Sequence, residues 1–299
     1  SFSKKAKEFR TIIKCGRTHL QDAVPITLGQ EFSAYEKALS KHLQKIKESK
    51  KYLNEIIMGG SAVGTGINTY SDFGKKATKH LSKETGLQLK ESNNPVESTQ
   101  FLTDISGLSS ALKNLAIDLN KISTDLELMA SGPNAGFNEI ELPSIEPGSS
   151  IMPGKVNPSI CEVVKMSSIQ AIGNDTAITI ACANGRLELN THMPLIAHNI
   201  LDLLELLEGA CIAFSKKCVD GIKANKEVCL SYAEKSPSLA TVLNPIIGYD
   251  KAAEVVKESL KRNESIKKIA IEKRYITQKE AEKIFDTHNL TKPNLKHKK

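Results

Sequence analysis

From Leu102 onward the apolar residues fall at Ile105, Leu108, Leu112, Leu115, Leu119, Ile122, Leu126 and Met129. Every step is three or four, so these side chains line one face of a single long helix. A stripe of that length is buried only against other long helices, and the sequence supplies them. A second stripe runs Phe32, Tyr35, Leu39, Leu43, Ile46, Leu53, Ile57, and is expected to end where the glycines of "GGSAVGTG" (59–66) break the helix. A third helix is expected after Pro158, running to about Ala183 through Val163, Val164, Ile169 and Ile172. A fourth covers about 194–216, starting near Pro194. At about 1.5 Å per residue these are rods of roughly 30–50 Å. Four such rods make a bundle, and the fold class is all-α.

Several of these helices are apolar on more than one side, as in "ILDLLELLEGACIAF" (200–214). One bundle does not hide all of that surface, so homo-oligomerisation through helix faces is expected. After "CVDGIKAN" (218–225) the texture changes to shorter helices at about 226–235, 250–262, 265–273 and 278–286, with Ser238 to Asn244 as a connecting loop. The expected organisation is a central helical-bundle domain over 1–225 and a small C-terminal helical domain over 226–299.

Composition narrows the function classes. There is no Trp and aromatics make up only 5%, so aliphatic packing carries the interior. The six cysteines show no CxxC spacing and several fall within helical apolar patterns, which reads as reduced, buried thiols rather than a disulfide framework or a zinc site. The formal net charge is +7, but the lysines are spread over helix faces and the tail "KPNLKHKK" supplies much of the excess. That pattern argues against nucleic acid and suits small dianionic substrates. No run approaches the roughly 20 apolar residues of a membrane span. The N-terminus "SFSKKAKEFR" has no signal-peptide core, so the expected location is cytoplasmic. The absence of an initiator Met suggests a fragment or a processed chain.

Three stretches could carry chemistry. "GSSIMPGKVNP" (148–158) sits between two long helical patterns. As a phosphate loop it fails: Gly148 and Gly154 are separated by five residues, and Lys155 is followed by Val156 rather than Ser or Thr. "GGSAVGTGIN" likewise does not spell GxGxxG. Two readings of 148–158 stay open. One is a plain linker. The other is a loop closing over an anion, with Lys155 as charge, Asn157 as amide donor and the backbone N–H groups near Gly148 and Ser149 polarising an oxyanion or a serine. "GRTHLQD" (16–22) places Arg17, Thr18, His19, Gln21 and Asp22 within six positions, just before a helix expected near Thr27. Glu162, four residues after Pro158, suits the start of a helix by charge; it could equally pair with an imidazole and activate a water.

These residues carry a resemblance. "GSSIMPGKVNP" resembles the signature of the fumarase/aspartase superfamily, and "GRTHLQDAVPITLGQEF" (16–32) resembles a second region of it. The similarity continues through "ASGPNAGFNEIELP" (130–143) and "LNPIIGYDKAA" (243–253). The resemblance implies a homotetramer with a central twenty-helix bundle, five helices per subunit, and active sites composed from three subunits. It implies reversible anti-elimination across a C2–C3 bond of a succinyl-type dicarboxylate, releasing fumarate, with no metal or organic cofactor. In these terms Ser149 is the base that removes a C3 proton, and Lys155 and Asn157 bind carboxylate, with Ser150 beside them as a substrate-binding residue. Thr18 and His19 match substrate-site residues, and Glu162 matches the carboxylate paired with that histidine in the fumarases. Family members carry an N-terminal domain, a threonine-containing substrate loop and a Ser-Ser/Thr-Asn segment that this chain lacks, so the chain alone is expected to lack part of each composite site. Within the superfamily, the aspartase branch (ammonia from L-aspartate) is favoured by "VESTQ" (96–100), "GFNEIELP" (136–143), "IGNDTAIT" (172–179), "GRLELN" (185–190), "ANKEVC" (224–229) and "NLTKPNL" (289–295). The class II fumarase branch (water from L-malate) is the alternative, through "NPSICE" (157–162) and "IGYDKAA" (247–253). A non-catalytic helical scaffold of the same ancestry is the third.

Overall fold

A computed structural model describes residues 1–145 and 151–293. The principal helices are α1 (Phe2–Glu8), α2 (Leu28–Lys50), α3 (Phe73–Thr85), α4 (Thr103–Ala130), α5 (Ser159–Cys182), α6 (Met193–Ala213), α7 (Lys226–Lys235), α8 (Tyr249–Arg262), α9 (Ile266–Glu272) and α10 (Gln278–Ile284). The strands are β1 (Ile13–Thr18), β2 (Gln21–Thr27) and four two-residue pieces: β3 (Glu55–Ile56), β4 (Lys90–Glu91), β5 (Ile140–Glu141) and β6 (Lys223–Ala224). They pair as three two-stranded sheets, β1 with β2 and β5 with β6 antiparallel, β3 with β4 parallel. The fold is thus mainly helical, as the periodicity predicts.

Packing divides the chain into two compact units. The first comprises residues 1–36, 127–156 and 218–299; the second comprises residues 37–126 and 157–217. The first unit is built around aromatic and aliphatic contacts. Phe9 meets Phe32 edge-on with ring centroids 5.2 Å apart, and Phe2 and Tyr35 complete the cluster. The start of α2 is set by a capping box: Gln30 N donates to Thr27 Oγ1, and Thr27 N donates to Gln30 Oε1, both at 2.9 Å. Helices α8, α9 and α10 bury Val255, Ile266, Ile269 and Ala281 against Leu243. Ser238 to Asn244, expected as a loop, fall in a 3-10 turn (Pro237–Leu243) and the start of a helical turn (Asn244–Ile247). Leu239, Ala240 and Leu243 are buried there, and that burial holds the turns.

In the second unit the stripe of α4 is buried as the spacing predicts, with Leu112, Leu119, Ile122 and Leu126 inaccessible or nearly so. Helices α5 and α6 pack closely along one another. Polar pairs fix how the helices slide past each other. Asp175 accepts from Ser109 Oγ at 2.7 Å and Lys113 Nζ at 2.6 Å, and Asn174 Nδ2 donates to Asp202 Oδ2 at 2.6 Å. The α2 stripe departs from expectation twice. Leu43 is 55% exposed while His42 is 6% exposed, its Nε2 lying 2.6 Å from Asp118 Oδ2, because the step from Leu39 to the buried face is three, not four. The helix also stops at Lys50 rather than at the glycines. Between Ile46 and Leu53 the stripe lapses into Ser49 and Lys50, leaving no apolar face to continue it.

Candidate active site

Residues 16–22 are not an irregular approach to a helix; they are the end of the β1–β2 hairpin. Thr18 pairs with Gln21, leaving His19 and Leu20 as a two-residue loop. Both have left-handed backbones, with φ of 55° and 59°. A two-residue hairpin loop matched to strand twist requires that conformation at both positions and ordinarily uses Asn-Gly. Side chains bearing a Cβ carry a cost of about 1–3 kcal/mol each in such regions. Thr18, His19 and Leu20 are all exposed, so the strained loop presents a hydroxyl, an imidazole and an isobutyl group to solvent.

Behind this tip lies a charge cluster within the first unit. Glu139 is fully buried, and both its carboxylate oxygens accept from Arg17 Nη1 at 2.9 Å. Lys14 Nζ lies 3.1 Å from Glu139 and 2.7 Å from Glu31. The guanidinium of Arg17 also sits 4.1 Å from the Phe137 ring centroid and 5.5 Å from that of Tyr232. Burial alone would push the Lys14 ammonium down; the Glu31 and Glu139 carboxylates outweigh it and hold the pKa above its ordinary value. In a regular strand Lys14 and Arg17, three apart, would face opposite sides. The register of the hairpin shifts between Cys15 and Arg17, and both cations reach Glu139. Gly16 lies inside that irregularity; a Cβ there would come 2.7 Å from the Val24 carbonyl oxygen. Glu139 is held from behind, its N–H donating to Met129 O at 2.8 Å and its carbonyl accepting from Asn225 N at 2.9 Å and from Cys229 Sγ. Burial chiefly pushes the Cys229 thiol up to about 12, so it stays a donor.

The other expected residues sit elsewhere. Lys155 is exposed in the loop of the first unit, after Gly154 with φ 85°. Asn157 and Glu162 are exposed around the first turn of α5 in the second unit. Thr18 and His19 therefore share one tip, and Asn157 and Glu162 share one helix start. Ser149 and Ser150 lie outside the described residues. The sequence reading missed Lys14, Glu31 and Glu139. The signal was Lys14 itself, a lone charge in the apolar run "TIIKC" (11–15), which demands a buried anion. A cavity of about 820 Å³ beside β2, lined by Val24, Ile246, Lys283 and Ile284 among others, contains none of the expected residues. Among the described residues no group of three or more His, Cys, Asp or Glu is arranged to hold a metal ion. Nor is any helix among them long and apolar enough to cross a membrane.

The described residues form a mainly helical protein, and comparison with known proteins gives the family. The lyase family profile matches residues 1–173, and the profile for the C-terminus of fumarase C matches residues 239–292. An aspartate ammonia-lyase of Helicobacter pylori is 43% identical over 300 residues, covering 100% of this chain and 64% of that protein. A class II fumarate hydratase of Staphylococcus epidermidis is 44% identical over 294 residues, covering 98% and 64%. The crystal structure of fumarate lyase:delta crystallin from Brucella melitensis bound to cobalt superposes with a TM-score of 0.94 at 43% identity, covering 98% of this chain and 63% of that one. The class II fumarase of Schistosoma mansoni superposes at 0.92 and 36% identity, covering 97% and 64%. The chain belongs to the lyase family of the fumarases and aspartases. It spans about 64% of the length of these curated relatives, and the two kinds of relative match it at nearly equal identity.

Proposed function

We propose that the protein is a lyase that eliminates ammonia from L-aspartate to give fumarate, reversibly, with Ser149 as the base. The observation that carries this reading is the 43% identity to an aspartate ammonia-lyase along the whole chain. The chemistry needs a base at C3 and donors for the dianion that forms when the proton leaves. In this reading Ser149 supplies the first, and Lys155, Asn157 and Ser150, close together in the sequence, supply the second, a cation and polar donors. The exposure of Thr18 and His19 on a strained tip supports a role for them in contacting substrate. The leaving group departs already protonated as ammonium, so little acid catalysis is required of His19 and Glu162.

Elimination of water from L-malate is the second reading, favoured by the 44% identity to a class II fumarate hydratase. Hydroxide is a poor leaving group, and there His19 with Glu162 would organise a proton donor. Following the rise in fumarate absorbance with L-aspartate and L-malate in parallel, on the full-length protein, separates the two. Fumarate from L-aspartate, with little from L-malate, is expected; the reverse would replace the first reading by the second, and none from either would remove both.

A homotetramer is part of the proposal. Met166 and Ile169 on α5 are 62% and 65% exposed and Leu201 on α6 is 64% exposed, a density of bare aliphatic surface that helix-face association would cover. Light scattering should give four chains per particle at micromolar concentration; a well-behaved monomer would refute the assembly.

A further inference from the structure

We infer that Glu139, acting through Arg17, is a positioning residue for the tip that carries Thr18 and His19. That the tip meets substrate rests on the lyase reading; that Glu139 holds the tip rests on the geometry alone. Three observations converge. The loop His19–Leu20 keeps an unfavourable backbone at two successive residues, and such a conformation persists only where the surroundings over-determine it. The residue directly before Thr18 is Arg17, which is gripped by both oxygens of a fully buried carboxylate and packed against Phe137 and Tyr232. Glu139 in turn is fixed by backbone hydrogen bonds on both sides and charge-balanced by Lys14. On the opposite strand, Ser238 Oγ donates to the Asp22 carbonyl at 2.8 Å, a second strut at the same level. The hairpin is thus held on both strands just below the strained loop, and one of the two holds is a guanidinium that donates from one nitrogen to both carboxylate oxygens and lies against the Phe137 and Tyr232 rings, a combination of charge and flat packing that a lysine lacks.

The alternative is that the cluster only stabilises the unit. A charge-balanced variant separates the two. Glu139→Gln alone leaves Lys14 and Arg17 without their shared anion, and the protein could fail to fold for that reason. Lys14→Met with Glu139→Gln removes one charge of each sign and still strips Arg17 of its partner. Arg17→Lys keeps the charge and loses the planar guanidinium packed against Phe137 and Tyr232. Asp175→Asn, in the other unit, controls for general destabilisation.

The experiment measures KM, kcat and amide hydrogen exchange of residues 16–22 for these variants of the encoded protein. In the double variant and in Arg17→Lys, KM should rise by on the order of tenfold or more while kcat changes far less, the signature of lost binding contacts. Exchange at 16–22 should quicken in both and not in Asp175→Asn. Exchange at parental rates in the double variant would overturn the inference, as would a parental KM in an active double variant. Failure of both the double variant and Arg17→Lys to fold would also overturn it, assigning the cluster to stability. If the parent makes fumarate from neither substrate, the lyase reading falls while hydrogen exchange still tests the grip.

Discussion

The two units each bury a carboxylate between a cation and other donors, yet the surroundings differ. In the second unit Asp175 joins Ser109 and Lys113 of α4 to α5, and every backbone involved is ordinary helix. In the first, Glu139 joins two cations of β1, and the chain immediately beyond them turns through two left-handed residues into solvent. The same chemistry fixes the sliding register of helices in one place and holds a costly loop in shape in the other. A buried ion pair is weak evidence for net stability. What distinguishes the two is what lies next to them.

Replacing Asp175 by Asn should lower stability by about 1.5–3 kcal/mol, the worth of hydrogen bonds to a charged group, read from urea or thermal unfolding. Lys113 can extend to water, which keeps the effect at the lower end. Under the proposed lyase reading, the KM should not move; if it does, the two clusters are less different than described.

Raising the pH should weaken the first unit. The thiol of Cys229 and the ammonium of Lys14 both have folded pKa values above the ordinary ones. The folded state therefore holds protons that the unfolded state has released, and the stabilisation present below the unfolded values is lost as pH rises toward the folded ones. For Cys229 that window runs from about 9 to about 12. Unfolding midpoints should fall through this range, and the fall should be shallower in Cys229→Ala. An identical slope in that variant would remove Cys229 from the account.

The smallest expected effect is at the tip. Leu20→Gly removes the Cβ from a residue with φ 59° and should stabilise the protein by roughly 1 kcal/mol, because glycine occupies that conformation freely. A destabilised variant would mean that the exposed leucine contributes more than its backbone costs.

How much of this was legible in the sequence follows the same division. The stripe of α4 was readable residue by residue, since each apolar position is set by the period of one helix. The exchange of Leu43 for His42 was not, because the buried partner Asp118 lies on a different element. The hairpin was invisible for a sharper reason. Its loop reads His-Leu where turn chemistry would write Asn-Gly, and what holds it comes from Glu139, more than a hundred residues away. The turns at 237–247 were hidden because their buried residues follow the short 3-10 spacing inside a Pro- and Ser-marked segment. For the candidate site, the residue types at 18, 19, 155, 157 and 162 were visible through family resemblance, while the network behind the tip announced itself only as one lysine among isoleucines.

The hydrogen bond from the Cys229 thiol to the Glu139 carbonyl makes that residue a natural tracer of opening. With its pKa near 12, it offers about a thousandfold fewer thiolates to an alkylating reagent than an ordinary cysteine at the same pH. It is also fully enclosed. Carbamidomethylation at that position is therefore gated by separation of α7 from β1, and the rate at which mass is gained there clocks how often the interior behind the tip comes apart.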